Sequence, residues 1–249
     1  MSVHSETELI QEIERLRAAL AEREQESAEQ GRQLERYAAD LRETFKQERA
    51  RTQELRRSYT ATVRALSNAV EWRDAYTAKH AERVTAYGVL IARSLGILVE
   101  GTPTEFGFLL HDIGKLAISD AILHKEGPLT DAERARMVEH PVIGAQIVEG
   151  IDFLEGAVDI VRHHHERWDG NGYPDGLAAE KIPLAARIFA VADVFDALTT
   201  NRPYRHASSW EEARRMITAE AGKQFDPQVV EAFNSISDEQ FAEVSAEIG

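Results

Sequence analysis

Phe106-Gly107-Phe108-Leu109-Leu110-His111-Asp112-Ile113-Gly114-Lys115 sets an imidazole beside a carboxylate in an otherwise apolar run. Burying such groups without partners costs several kcal/mol, roughly, so the pair needs something to bind it. Just upstream, Thr102-Pro103-Thr104-Glu105 has the form of a capping box with Pro at the first helical position. This predicts a helix that carries His111 and Asp112, with Lys115 four residues beyond His111 on nearly the same face.

The same punctuation recurs outward from this stretch. Thr130-Asp131-Ala132-Glu133, Ser209 with Glu212, and Ser237 with Gln240 repeat the box, and Asp226-Pro227 restarts a helix after Gly222. Ser119 reads as an acceptable N-cap for a short helix. No useful length alternates with period two, so residues 58–249 are expected to form an all-α domain of about seven or eight helices. The exception is Trp168 to Pro183, which holds Gly170, Gly172, Pro174, Gly176 and Pro183; loops of that length are usually functional.

Residues 1–57 read differently. From Glu6 to Arg57 there is no Pro and one Gly, and good helix formers dominate. Leu9, Ile13, Leu16 and Leu20 are spaced 4-3-4, and Leu34, Tyr37, Leu41 and Leu55 keep that heptad register. Arg23, Ser27 and Gln30 weaken the seam in the middle. One long helix or two is expected, forming a coiled coil that makes a homodimer, against the plainer alternative of a solvated charged helix.

Composition narrows the function. A formal charge of -14 and a pI near 5.1 argue against a DNA-binding surface, which needs clustered Lys and Arg. The absence of cysteine excludes disulfides and thiolate ligands. No signal-peptide pattern and no run of 18 apolar residues is present, so a soluble, cytoplasmic protein without a membrane span is expected. Seven of the nine histidines fall between positions 80 and 165. A lone imidazole on an apolar helix is ordinarily a hydrogen-bonded core residue. Several together, with the carboxylates of Asp112 and Asp193 in apolar helical surroundings, make a site for divalent first-row metals.

From about Ser58 to Phe233 the chain resembles the HD-GYP domain, a subgroup of the HD metal-dependent phosphohydrolases. The resemblance is carried by His111-Asp112-Ile113-Gly114-Lys115, His164-His165-Glu166-Arg167-Trp168-Asp169-Gly170-Asn171-Gly172-Tyr173-Pro174, Ile182-Pro183-Leu184, Val191-Ala192-Asp193-Val194-Phe195-Asp196-Ala197-Leu198 and Arg202-Pro203-Tyr204-Arg205. It implies hydrolysis of cyclic di-GMP, to pGpG and/or GMP, at a binuclear centre with iron or manganese and no organic cofactor. It further implies that His80, His111, Asp112 and Asp193 hold one ion and Asp112, His140, His164 and His165 the other, with Asp112 as the bridge.

Some members of that family add a third ion through a Glu four residues before the ligand at His80. Tyr76 stands there, so two ions are expected, with Asp74 at most a supporting group. His163 is assigned no metal role. Lys115, Tyr173, Arg202 and Arg205 are expected to bind substrate, and Asp196 either to support a ligand or to protonate the leaving group. The Gly172-Tyr173-Pro174 loop is the expected contact for a GGDEF-domain partner. The competing readings are an HD phosphohydrolase for another phosphate ester, such as a hybrid cyclic dinucleotide or a mononucleotide, a non-catalytic cyclic di-GMP receptor, and a scaffold acting through the N-terminal helix.

Overall fold

The computed structural model describes residues 6–73, 79–201 and 206–248. Among these there is no strand, only an isolated parallel bridge between Ala221 and Phe225. The chain divides into two units, Met1–Arg57 and Ser58–Gly249.

The first unit is helical throughout its described residues, as part of a single helix α1 (Glu6–Arg73). Its local bonds are of the i to i+4 kind, as between Gln47 and Glu43. Leu9, Ile13, Leu16, Leu20, Leu34, Tyr37, Leu41 and Leu55 are all exposed, and Phe45 with them. Most helix stability in proteins comes from packing an apolar face, and among the described residues of its own unit nothing packs on this stripe.

The second unit takes the last turns of α1, from Ser58 onward, and adds ten helices among the described residues. These are α2 (His80–Ser94), α3 (Pro103–Leu110), α4 (Asp120–Leu123), α5 (Asp131–Met137), α6 (His140–Val148), α7 (Val158–His163), α8 (Leu184–Thr199), α9 (Trp210–Ala219), α10 (Pro227–Asn234) and α11 (Asp238–Ile248). Single 3-10 turns occupy Ile113–Ala117, Asp152–Ala157 and Ala179–Lys181. Ten helices exceed the seven or eight expected because α4 to α7 are pieces of four to nine residues, too short to show a 3.6-residue period.

The core forms two apolar clusters. One gathers Phe108, Phe189, Phe195, Phe233 and Phe241 with Val84, Ile91 and Val229, where α2 and α8 pack together. Each fully buried Phe contributes about 1.5–3 kcal/mol. The other joins Val63 and Val70 of α1 to Phe106, Leu109, Leu110, Val148, Leu154 and Val161. α3 contributes to both clusters, so its C-terminal end is held from two sides.

Local capping is met where both partners are close in sequence. Thr130 and Glu133 form a reciprocal box, Ser209 accepts from Glu212 N–H, Asp226 accepts from Gln228 N–H, and Ser237 and Gln240 exchange bonds. At Thr102 the expected box is absent. Its hydroxyl donates to the Val99 carbonyl, and Glu105 accepts from Gly101 N–H instead. Ser119 precedes α4 without a side-chain cap bond.

Candidate metal centre

The expected metal-binding side chains come together, and most sit at helix ends rather than on helix faces. α3 stops at Leu110, so His111 is its C-cap and Asp112 lies beyond it. This corrects the reading of both as residues within a helix. Lys115 is therefore on the following 3-10 turn, where its Nζ lies 2.8 Å from Asp112 Oδ2. His80 is the first residue of α2. His140 begins α6, after α5 has stopped at Met137. His164 caps the C-terminus of α7, His165 follows, and Asp193 lies inside α8.

Three of the imidazoles are locked in one tautomer. His111, His140 and His164 each place Nδ1 2.8–2.9 Å from a main-chain carbonyl three residues upstream, of Phe108, Met137 and Val161. A carbonyl only accepts, so each Nδ1 carries a proton and each ring turns Nε2 inward as the atom free to bind a cation or a proton. These Nε2 atoms face one another and the Asp112 carboxylate. His140 Nε2 is 3.2 Å from His164 Nε2 and 3.3 Å from Asp112 Oδ1, while His111 Nε2 is 3.1 Å from Asp112 Oδ2. The candidate donor atoms of His140, His164 and His165 lie within 4.8 Å of one another. Acceptors facing acceptors need a cation or a proton between them.

Protons do not fill the whole cluster. Burial first, then the neighbouring imidazoles, push His164 well below the ordinary histidine value, and burial with His140 pushes His165 down to about 4. Burial opposes ionisation of Asp112, but the Lys115 ammonium, His111 and His140 outweigh it and hold its carboxyl well below the usual range. Asp193 falls to about 2 because His80 outweighs its burial. The residues His111, His140 and His164 are at most 4% exposed, whereas the side chains of Asp112 and Asp193 are 21% and 26% exposed. The carboxylates thus form the face open to solvent, with imidazoles beneath. Imidazole nitrogens and ionised carboxylates around one opening fit divalent ions.

At the other end His80 bridges two carboxylates, Nε2 3.3 Å from Asp193 Oδ1 and Nδ1 2.7 Å from Asp196 Oδ2. Against the pull of burial, these two raise His80 to about 10. Asp196 is 1% exposed, and Arg83 grips it with Nε at 2.6 Å and a second nitrogen at 3.1 Å. Asp196 therefore stands behind His80, at its Nδ1, which sequence alone left open.

The loop after α7 closes over the rings. Tyr173 lies 4.7 Å from His165, centroid to centroid, and burial with the charge of Asp112 raises its phenol far enough to keep it protonated. Glu166, buried, accepts from the N–H groups of Asp175 and Leu177. Asp175 is held by both Arg162 and His163 Nε2, so His163 anchors the loop. Gly172 is required by space: a Cβ there would lie 2.4 Å from Arg167 N and 2.5 Å from Glu166 Cα.

Arg202, Arg205, Asp74 and Tyr76 lie outside the described residues. Arg83, Arg162 and Asp175 were not singled out from sequence. Arg83 sits three residues after His80, on its face, and that spacing was the available signal; Arg162 and Asp175 are joined only by the fold.

Residues 64–229 match the family model of the HD domain. Over 174 residues the chain is 44% identical to the cyclic di-GMP phosphodiesterase response regulator RpfG of Xanthomonas campestris pv. campestris, covering 69% of this chain and 46% of that protein. It is 38% identical over 212 residues to a 3'3'-cGAMP-specific phosphodiesterase 2 of Vibrio cholerae, covering 84% of this chain and 40% of that one. The chain thus spans less than half the length of these curated relatives. A crystal structure of a cyclic GMP-AMP-specific phosphodiesterase of V. cholerae shares the fold with a TM-score of 0.59 at 22% identity, covering 75% of this chain and 52% of that one.

Proposed function

The chain belongs to the HD-domain family, and on that premise we propose that it is a metal-dependent phosphodiesterase that hydrolyses cyclic di-GMP to pGpG and/or GMP. The observation that carries this reading is the inward-turned set of ligand atoms, Nε2 of His111 and of His140 against the two oxygens of Asp112 and Nε2 of His164 against that of His140. His80, His111, Asp112 and Asp193 would hold one ion and Asp112, His140, His164 and His165 the second. Iron or manganese suits this nitrogen and oxygen donor set. When bound, the pair supplies a hydroxide at neutral pH and neutralises charge on the phosphoryl oxygens.

The chain's own groups do the rest. The Lys115 ammonium, held beside Asp112, meets a non-bridging phosphoryl oxygen as negative charge grows there. Tyr173 keeps its proton and donates a hydrogen bond from the cleft wall over His165. Arg202 and Arg205 would hold the second phosphate through bidentate bonds. Asp196 fixes the ring of His80 rather than protonating the leaving group, because it is buried and already bonded to His80 and Arg83.

The identity to a 3'3'-cGAMP-specific relative favours a second reading, the mixed guanine–adenine cyclic dinucleotide. Incubating manganese- or iron-loaded protein with each cyclic dinucleotide and separating the products by chromatography tests both. The expected result is conversion of cyclic di-GMP to pGpG or GMP faster than conversion of the mixed dinucleotide. Turnover of neither overturns the assignment.

No described helix is long and apolar enough to cross a membrane, and the protein is proposed to act in the cytoplasm. The exposed stripe from Leu9 to Leu55 supports a parallel homodimer through residues 6–57. Sedimentation should give twice the chain mass, and Leu16→Asp with Leu41→Asp should give single chains; a monomeric wild type at high concentration removes the proposal. The anchored loop around Asn171 and Gly176, exposed at its tip, would receive a GGDEF-domain partner.

A further inference from the structure

The last two turns of α1 hold both ends of the metal centre through main-chain atoms. Ser67, buried, donates to the Leu109 carbonyl at 2.8 Å, two residues before His111. The Glu71 carboxylate accepts from the N–H of Lys79 at 3.0 Å and of Ala81 at 2.5 Å, the two residues that flank His80. Arg73 donates to the carbonyls of Lys115 and Leu116, at 2.9 Å each, and to that of Ile118, while its Nε bonds Asp120.

These contacts add long-range anchors to the few local bonds of each segment. Lys79, at the N-cap of α2, has φ of 61° and no side-chain cap, a left-handed conformation that a non-glycine residue keeps only when its surroundings hold it. Glu71 supplies the missing acceptor from another helix. In the 3-10 turn Ile113–Ala117, which follows Asp112, Lys115 N–H bonds the Asp112 carbonyl and Ile118 N–H the Lys115 carbonyl, and the Arg73 guanidinium adds bonds from α1 to the carbonyls of Lys115 and Leu116. Because Glu71 and Arg73 are two residues apart on one helix, the start of α2 and the turn after Asp112 share a single rigid reference.

We propose, resting on the binuclear reading above, that Glu71 and Arg73 are positioning residues that hold His80 and Asp112 at one fixed spacing, so that the ion shared by His80, His111, Asp112 and Asp193 binds tightly only when both anchors are in place. Groups supporting metal ligands typically change affinity about 10- to 100-fold when lost. Asp196 and Arg83 orient the His80 ring, whereas Glu71 sets its backbone.

The test titrates metal-free full-length protein with Mn2+ by calorimetry and records the electron paramagnetic resonance spectrum of the exchange-coupled pair. Wild type should take two ions and give the coupled signal. Glu71→Gln, which keeps the volume but turns an NH2 toward one of the two N–H groups, should bind one ion as wild type does and the other about 10- to 100-fold more weakly. Its coupled signal should disappear at two equivalents and return at excess Mn2+. Arg73→Ala should show the same split, and Arg73→Lys should recover part of it. If Glu71→Ala fails to fold, Glu71→Gln decides the matter. Two wild-type-like affinities in both Glu71→Gln and Arg73→Ala overturn this proposal alone, whereas fewer than two ions in wild type overturns the binuclear reading and this proposal together.

Discussion

Asp112→Ala is expected to leave at most one tightly held ion per chain and to lower cyclic di-GMP turnover by about 1,000-fold or more. Losing a single donor that stabilises transition-state charge costs roughly 100- to 1,000-fold, and Asp112 does more than one such job. Its two oxygens face different imidazoles, Oδ2 toward His111 and Oδ1 toward His140, and Oδ2 also holds Lys115. Alanine removes the carboxylate between those rings and the bond it makes to the Lys115 ammonium. Asp112→Asn should be nearly as inactive, because an amide offers one acceptor where two are needed. Product chromatography and metal analysis on the same preparations check this; turnover by Asp112→Ala at the wild-type rate would refute the role given to this residue.

Gly114→Ala is expected to destabilise the fold by about 3 kcal/mol or more. Overpacking a core site typically costs about 1–3 kcal/mol and occasionally more. A Cβ at 114 would lie 1.9 Å from the His140 carbonyl oxygen and 2.6 Å from Gly144 N. Both are main-chain atoms of α6, so no side chain can rotate away. Relief requires the 3-10 turn after Asp112 to move off α6, which also draws Asp112 from His140 and weakens metal binding. Urea denaturation of metal-free protein should show the full loss. A change within about 0.5 kcal/mol, the size expected of an ordinary surface substitution, would mean that α6 is not held against the turn as described.

The same glycine shows how far the sequence could be read. That His111 and Asp112 needed a partner followed from burial, and the all-α architecture followed from caps at Thr130, Ser209 and Asp226 whose partners lie two or three residues away. Where a cap depended on a competitor, as at Thr102, the reading failed: Glu105 has Gly101 N–H within reach and takes it. Placing His111 and Asp112 inside a helix failed for a longer-range reason. The chain turns after Leu110 so that Gly114 can press on α6, and nothing within a few residues of position 114 announces His140. The anchors Glu71 and Arg73 were invisible for the same reason. On a helix rich in Glu and Arg they resemble solvated charges until α2 and the 3-10 turn are brought against them.

In the proposed centre two ions share the carboxylate of Asp112. It is tested most directly by counting ions: protein prepared without chelators and dialysed to equilibrium against Mn2+ or Fe2+ is analysed for metal per chain. The expected count is two ions per wild-type chain, falling to one or fewer in Asp112→Ala. Saturation of the wild type at a single ion per chain would contradict it.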